Sequence, residues 1–74
     1  MKNVPITTAA FTEIHAGQSL ARFTPAVQII LADSTDPGAT ETAIVTANTP
    51  VYLPVGKATF AKCSSANTTL EILE

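Results

Sequence analysis

Few residues in this chain could do chemistry, and each has a simpler explanation. His15 lies two positions after Glu13, so the two could form a histidine–carboxylate pair that acts as a general base. No nucleophile or oxyanion motif accompanies them, and we expect a surface histidine. Cys63 has a basic neighbour in Lys62, but successive side chains of a strand point to opposite faces. We therefore expect Cys63 to pack as a small hydrophobic residue, and we predict that the chain is not an enzyme.

Residues that bind metals are equally sparse. Calcium prefers carboxylate and carbonyl oxygens, and Asp33, Asp36 and Glu41 lie in one stretch of sequence. Their spacing departs from the Asp-x-Asp-x-Asp-Gly pattern with a following Glu, and aspartates around Pro37 and Gly38 are typical of a solvated turn. A structural zinc site usually takes four ligands that are mainly cysteine and histidine, and the chain has one of each. The sequence predicts no metal and no cofactor.

The charge content of the chain is low and has no cluster of one sign. Charged residues make up 14% of the sequence, against about 25% in typical soluble domains. The net charge is −2, and the four basic residues are scattered along the chain. Nucleic-acid binding needs a basic patch, so we predict no nucleic-acid partner.

Targeting signals are not evident either. Polar residues interrupt the N-terminal stretch before it reaches the length of a signal-peptide apolar region. No run approaches the roughly 18 apolar residues of a membrane span. We expect no membrane partner and a chain that is made in a cytoplasm, which it leaves only as part of a larger particle.

Short runs of β-branched and apolar residues, separated by turn signals, predict an all-β fold. We predict a small antiparallel β-sandwich or barrel of six or seven short strands, with one β domain over residues 17–74. Residues 1–16 are expected to form an extended N-terminal arm or an edge strand, because Pro5 disfavours an early helix. Strands are expected at 19–23, 26–33, 42–47, 50–53, 57–63 and 68–74.

The C-terminal half has the pattern of consecutive hairpins. Pro54 and Gly56 occupy the positions that a type I turn with a glycine bulge requires, so residues 50–53 and 57–63 are predicted to pair. A further turn at 64–67 leads into the last strand. The sequence therefore predicts a C-terminal β-meander.

The run at 26–33 is apolar on both faces. Val27, Ile29 and Leu31 share one face of the predicted strand, and Ile30 lies on the other with alanines and one glutamine. Such a strand is expected to be covered on both sides, since an exposed one would aggregate. We predict that Val27, Ile29, Ile30 and Leu31 form an interface.

The length of the chain also favours self-association. A domain of 74 residues buries only roughly 60% of the surface that its unfolded chain exposes. Small domains often need a disulfide, a bound metal or a partner chain for stability. A single cysteine excludes an internal disulfide, and a structural metal is not expected. We therefore predict that the domain is stabilised by forming a homo-oligomer.

The C-terminal half resembles small structural proteins of tailed bacteriophages. The resemblance covers residues 42–74 and is carried by the run VTANTPVYLPVGKATFAKC at 45–63, a Thr/Ala-rich hairpin sequence with Pro-x-Gly. It implies a protein of the virion, head decoration or tail-associated, present in many copies per particle. It carries over no functional residue.

Two hypotheses about function follow. The first is a non-enzymatic virion protein, a capsid decoration or cement protein that bridges neighbouring shell subunits as a homo-oligomer, with a trimer as one arrangement. Its partners would be further copies of itself and the major capsid protein or another virion protein. The alternative is a small β-sandwich binding module for a glycan or host-surface ligand. Its contact surface would be the acidic loop with a nearby aromatic residue: Asp33, Asp36, Glu41 and Tyr52.

Overall fold

The computed structural model describes residues 2–33 and 42–74, and in this part of the chain the fold is all-β, as predicted. Eight short strands are present, against the six or seven expected. They are β1 (Lys2–Ile6), β2 (Thr12–His15), β3 (Ala21–Phe23), β4 (Ile29–Ala32), β5 (Thr42–Val45), β6 (Val51–Leu53), β7 (Thr59–Cys63) and β8 (Thr68–Ile72).

The strands pair in a nested pattern, and every pairing is antiparallel. The first strand pairs with the last, β2 with β7, β3 with β6, and β4 with β5. In addition β4 pairs with β7, which produces a four-stranded sheet in the order β2-β7-β4-β5. The predicted C-terminal β-meander is therefore wrong, because within residues 42–74 no two of the strands β5 to β8 pair with each other.

The turn before β7 explains that error. Gly56 has φ +86°, so the positive φ expected at this position is present. The Gly56 amide, however, donates a hydrogen bond of 2.8 Å to the Gly17 carbonyl. The turn thus packs on the loop between β2 and β3, and it separates two strands that belong to different sheets.

The two smaller sheets, β1-β8 and β3-β6, are joined by backbone hydrogen bonds beyond the end of β8. The Arg22 amide donates to the Leu73 carbonyl at 2.9 Å, and the Leu73 amide donates to the Arg22 carbonyl at 2.8 Å. Strands β1 and β6 are consequently the outermost strands of this joined pair, as β2 and β5 are of the four-stranded sheet.

One hydrophobic core draws side chains from all three sheets. Alternation positions them: on β3, for example, Ala21 and Phe23 are buried and Arg22 between them is exposed. The Cα extents are 29 × 27 × 17 Å, and the shortest accommodates two sheets about 10 Å apart. The choice between sandwich and barrel stays a prediction. The core residues are Val4, Ile6, Ile14, Ala21, Phe23, Ile29, Leu53, Ala61, Cys63, Leu70 and Ile72.

The N-terminal stretch forms two strands rather than one extended segment. Strand β1 contributes Val4 and Ile6 to the core, and β2 contributes Ile14. Each pairs on one side only, β1 with β8 and β2 with β7. A register shift between Glu13 and His15 interrupts the second pairing and allows the adjacent Ile14 and His15 both to be buried.

Candidate functional site

The outer face of the four-stranded sheet carries an apolar row across three strands. Ile30 of β4 lies directly opposite Ile44 of β5 on one side and Lys62 of β7 on the other. Residues that are opposite each other in an antiparallel pair share a face, so the three side chains lie side by side. Ile44 is 67% exposed and Ile30 is half-buried. The row therefore presents apolar surface outward.

Two aromatic residues extend this row. The Lys62 Nζ lies 5.2 Å from the centre of the Phe11 ring, a distance at which a cation–π attraction stabilises the pair. Phe60 is half-buried and has the same orientation as Lys62, two positions along β7. We refer to Phe11, Ile30, Ile44, Phe60 and Lys62 as the outer-face patch.

The four residues predicted to form an interface divide between the two faces. Ile29 is fully buried and belongs to the core of the chain itself, and Val27 and Leu31 pack against that core. Ile29 therefore has no exposed surface that could contact a partner, whereas Val27 and Leu31 are half-buried and their place in an interface stays a prediction. Ile30 alone of the four faces outward.

A second apolar surface lies on β3 and β6. Arg22 and Tyr52 are cross-strand partners, and Leu20, Tyr52 and Leu73 are exposed large hydrophobic residues around them. Together they line an open groove of about 350 Å³. Glu74 lies on its rim, where its Oε2 accepts hydrogen bonds from Gln18 at 3.1 Å and from Ser19 at 3.0 Å. We refer to this surface as the Tyr52 groove.

The two described residues of the predicted ligand surface, Asp33 and Tyr52, line separate cavities. Asp33 forms an ion pair of 3.0 Å with Lys57 and lines a cavity of about 240 Å³ with Leu31 and Pro54. Tyr52 lines the separate groove on β3 and β6. Asp36 and Glu41 lie outside the described residues.

The predicted surface position of His15 is wrong. Its side chain is fully buried, and Nε2 donates a hydrogen bond of 2.7 Å to the carbonyl oxygen of Ser19. Nδ1 has no hydrogen-bond partner among residues 2–33 and 42–74. Glu13, by contrast, is exposed, so the histidine–carboxylate pair is not assembled. The arrangement uses His15 to fix the loop before β3.

Cys63 packs as predicted. Its side chain is 1% exposed, and Sγ lies 3.5 Å from the Ile6 carbonyl oxygen. The neighbouring Lys62 points to the opposite face, where it contacts Phe11. In the described part of the chain, no group of three or more His, Cys, Asp or Glu side chains is placed to hold a metal ion.

Comparison with protein-family models, with curated proteins and with solved structures found no match for this chain. Within residues 2–33 and 42–74 there is also no helix of the length and hydropathy needed to cross a membrane.

Sequence reasoning anticipated some members of these surfaces and missed others. Strand alternation separates Leu20 and Arg22 from Phe23, and Tyr52 from Leu53, and the structure shows that Leu20, Arg22 and Tyr52 are exposed. It gives no indication that Leu73 joins them, because that proximity depends on the backbone bridge to Arg22. The outer-face patch similarly needs the pairing of β4 with β5 and β7, which only the structure supplies.

Proposed function

We propose that this chain is a non-enzymatic structural protein of a tailed-phage virion, a head decoration or cement protein that acts as a homo-oligomer. It bridges neighbouring subunits of the shell and makes contacts with the major capsid protein. The observation that supports the proposal is the outer-face patch, an apolar row on a small domain with few charges. The resemblance of residues 42–74 to phage structural proteins supplies the setting.

The patch has the composition of a contact surface. Aromatic side chains are enriched at interfaces and isolated lysines are depleted, and here the single lysine is engaged with Phe11. Full burial of an isoleucine side chain contributes roughly 1.5–3 kcal/mol, and Ile44 is two-thirds exposed in the monomer. Covering the row on assembly therefore provides a favourable free energy that the isolated chain does not gain.

Simultaneous contacts with more than one shell subunit strengthen the attachment of such a protein. A decoration protein that contacts two shell subunits at once gains from effective concentration, because the second contact is intramolecular. Weak individual contacts then suffice for stable attachment. The mechanism requires shape and apolar surface, and it requires no catalytic residue.

Two measurements test the proposal. Sedimentation equilibrium between about 1 and 300 µM should show self-association, since contacts of moderate area give micromolar affinities. The chain should also co-sediment with expanded heads of the phage that encodes it, and the decorated heads should withstand a higher temperature before rupture. A chain that stays monomeric throughout and does not bind heads would contradict the proposal.

A second candidate function rests on the Tyr52 groove. Tyr52 is 74% exposed beside Leu20, and the Glu74 carboxylate is held at the rim by two hydrogen bonds. An exposed aromatic face with a fixed hydrogen-bonding group is an arrangement that can bind a sugar ring, as in a glycan or host-surface ligand.

A glycan array with the wild type, Tyr52→Phe and Tyr52→Ala tests this candidate. Stacking on the ring predicts that Tyr52→Phe retains binding and that Tyr52→Ala loses it. Absence of any bound glycan, together with co-sedimentation with heads, would favour the structural role alone.

A further inference from the structure

The four outermost strands of the sheets differ in how they are protected. An outermost strand exposes backbone N–H and C=O groups that can pair with a strand of another molecule. Natural proteins block such edges with charges, prolines, bulges or very short strands. Strands β1, β2, β5 and β6 are the outermost strands here.

Three of these edges carry such protection. Strand β1 contains Lys2 and Pro5, and a proline has no N–H to donate. Strand β2 contains the charged Glu13 and a register shift that disrupts regular pairing. Strand β6 has only three residues and lies between Pro50 and Pro54.

Strand β5 is one residue longer than β6 and lacks the other protective features. Its sequence, TAIV, contains no charge and no proline, and it pairs with β4 at four successive positions without a register shift. No described strand pairs with its other side. Ile44 near its centre is 67% exposed. An unprotected apolar edge is the feature expected of a strand that is covered in the assembled protein.

The C-terminal end of β5 is fixed in place. Thr46 and Thr49 share a hydrogen bond of 2.8 Å between their hydroxyl groups. The Asn48 amide donates to the Pro25 carbonyl at 2.7 Å, with Asn48 at φ +64°. A strand held in this way loses little conformational freedom when it pairs, which favours binding.

We infer that β5 pairs edge to edge with β5 of a second copy of this chain. The two strands run antiparallel about a two-fold axis perpendicular to the sheet, with Ile44 opposite Ile44 of the second copy. Such an axis keeps both outer faces on the same side, so the two four-stranded sheets join into one. The inference rests on the self-association in the proposed function and names the surface that produces it.

A second copy fits this edge better than a charged partner would. The pairing joins the two outer-face patches into a continuous apolar row with Ile30 and Ile44 at its centre. The Lys62 residues of the two copies lie on β7, five strand spacings apart, or about 24 Å. That separation is well beyond the Debye length of about 8 Å, so their repulsion is screened.

The short strand also sets the expected strength of the contact. Four residues per edge give an interface at the small end of the range, below about 1,200 Å². We therefore expect a dimer whose population depends on concentration in the micromolar range. On a shell, additional contacts would reinforce it.

Charge substitution at Ile44 tests the pairing. We expect Ile44→Lys and Ile44→Glu each to weaken dimerisation at least about tenfold, because like charges are then opposite each other across the axis. An equimolar mixture of the two variants should recover the dimer as a heterodimer. Val55→Lys is the matched control, since Val55 is also an exposed apolar residue but lies in the turn between β6 and β7, away from the β5 edge. Sedimentation equilibrium measures the association of the three variants and of the mixture, and circular dichroism checks that each variant is folded.

Each outcome has a separate meaning. Recovery in the mixture, with an unaffected Val55→Lys, supports edge pairing at residue 44. A wild-type dimer or trimer that Ile44→Lys does not weaken would overturn the inference and leave the proposed self-association standing. A variant pair that fails to recover on mixing would also overturn it. A wild type that is monomeric at every concentration would overturn both.

Discussion

The two faces of strand β4 present the same residue type in opposite situations. Ile29 is fully buried among the core residues of the chain itself, whereas the next residue, Ile30, is half-buried beside the exposed Ile44. The inner face of the four-stranded sheet is thus packed against the core, whereas its outer face presents exposed apolar side chains. Ile29 therefore contributes to folding, whereas Ile30 and Ile44 provide surface that another molecule could cover.

The largest effect is expected from Ile29→Asp. The substitution places a carboxylate in the core, where an unpaired charge costs several kcal/mol, comparable to the roughly 5–15 kcal/mol that stabilises an ordinary domain. We expect an unfolded or aggregated protein at 25 °C by circular dichroism. A cooperative folded state with wild-type thermal stability would mean that the inner face is not closed.

Gly17 and Gly56, whose backbones are joined by a hydrogen bond, also differ in how much space surrounds them. Gly17 and Gly56 both have positive φ, but a Cβ on Gly17 would lie 2.5 Å from the Lys57 backbone nitrogen, and one on Gly56 would meet nothing within 4 Å. We expect Gly56→Ala to cost about 1–2 kcal/mol of unfolding free energy from backbone strain alone. Gly17→Ala should cost about 1–3 kcal/mol more, because the clash forces the backbone apart. Urea unfolding measures both, and equal losses would contradict the close approach of the two loops.

The next effect concerns His15, the polar side chain among the described buried residues. His15→Phe keeps an aromatic ring and removes the donor to the Ser19 carbonyl. Leaving a buried acceptor unsatisfied costs about 1–3 kcal/mol, and we expect a loss of that size in urea unfolding. His15→Gln retains an N–H donor and should lose less. If His15→Phe is as stable as the wild type, the hydrogen bond does not fix the loop.

The smallest effect on folding is expected from Ile30→Asp. The new carboxylate would face solvent beside Lys62, and opposite charges in cross-strand positions contribute roughly 0.2–1 kcal/mol of stabilisation. We expect a cooperative unfolding transition within about 1 kcal/mol of the wild type, together with weaker self-association. Unfolding as severe as that of Ile29→Asp would mean that the outer face is also closed within one chain.

Local pattern was enough to predict the orientation of many side chains but not their partners. Alternation along 19–23 puts Ala21 and Phe23 on one face, and both are buried; Cys63 is in the core, as predicted. The surface position of His15 was predicted because no catalytic motif accompanies it, and it is wrong because the register shift after Glu13 allows His15 to be buried next to Ile14. The residue types between Glu13 and His15 do not indicate a register shift.

Pairing between strands could not be predicted from neighbouring segments. Pro54 and Gly56 indicate a turn, and a turn is present, yet the strands on either side of it belong to different sheets. The partner of β6 is β3, which lies far back in the sequence. Short turn motifs describe local backbone geometry and contain no information about such distant contacts.

The nested order of strand pairs has a consequence for how the chain folds. The pair β4–β5 is innermost in sequence, and each further pair, ending with β1–β8, encloses all those inside it. If the inner pairs form first, each later pair closes a loop already shortened by structure, and the entropic cost of closure stays small. We therefore expect a transition state structured around β4 and β5, with β1 and β8 joining late. A destabilising change in β1 should then mainly accelerate unfolding, whereas one in β4 should slow folding.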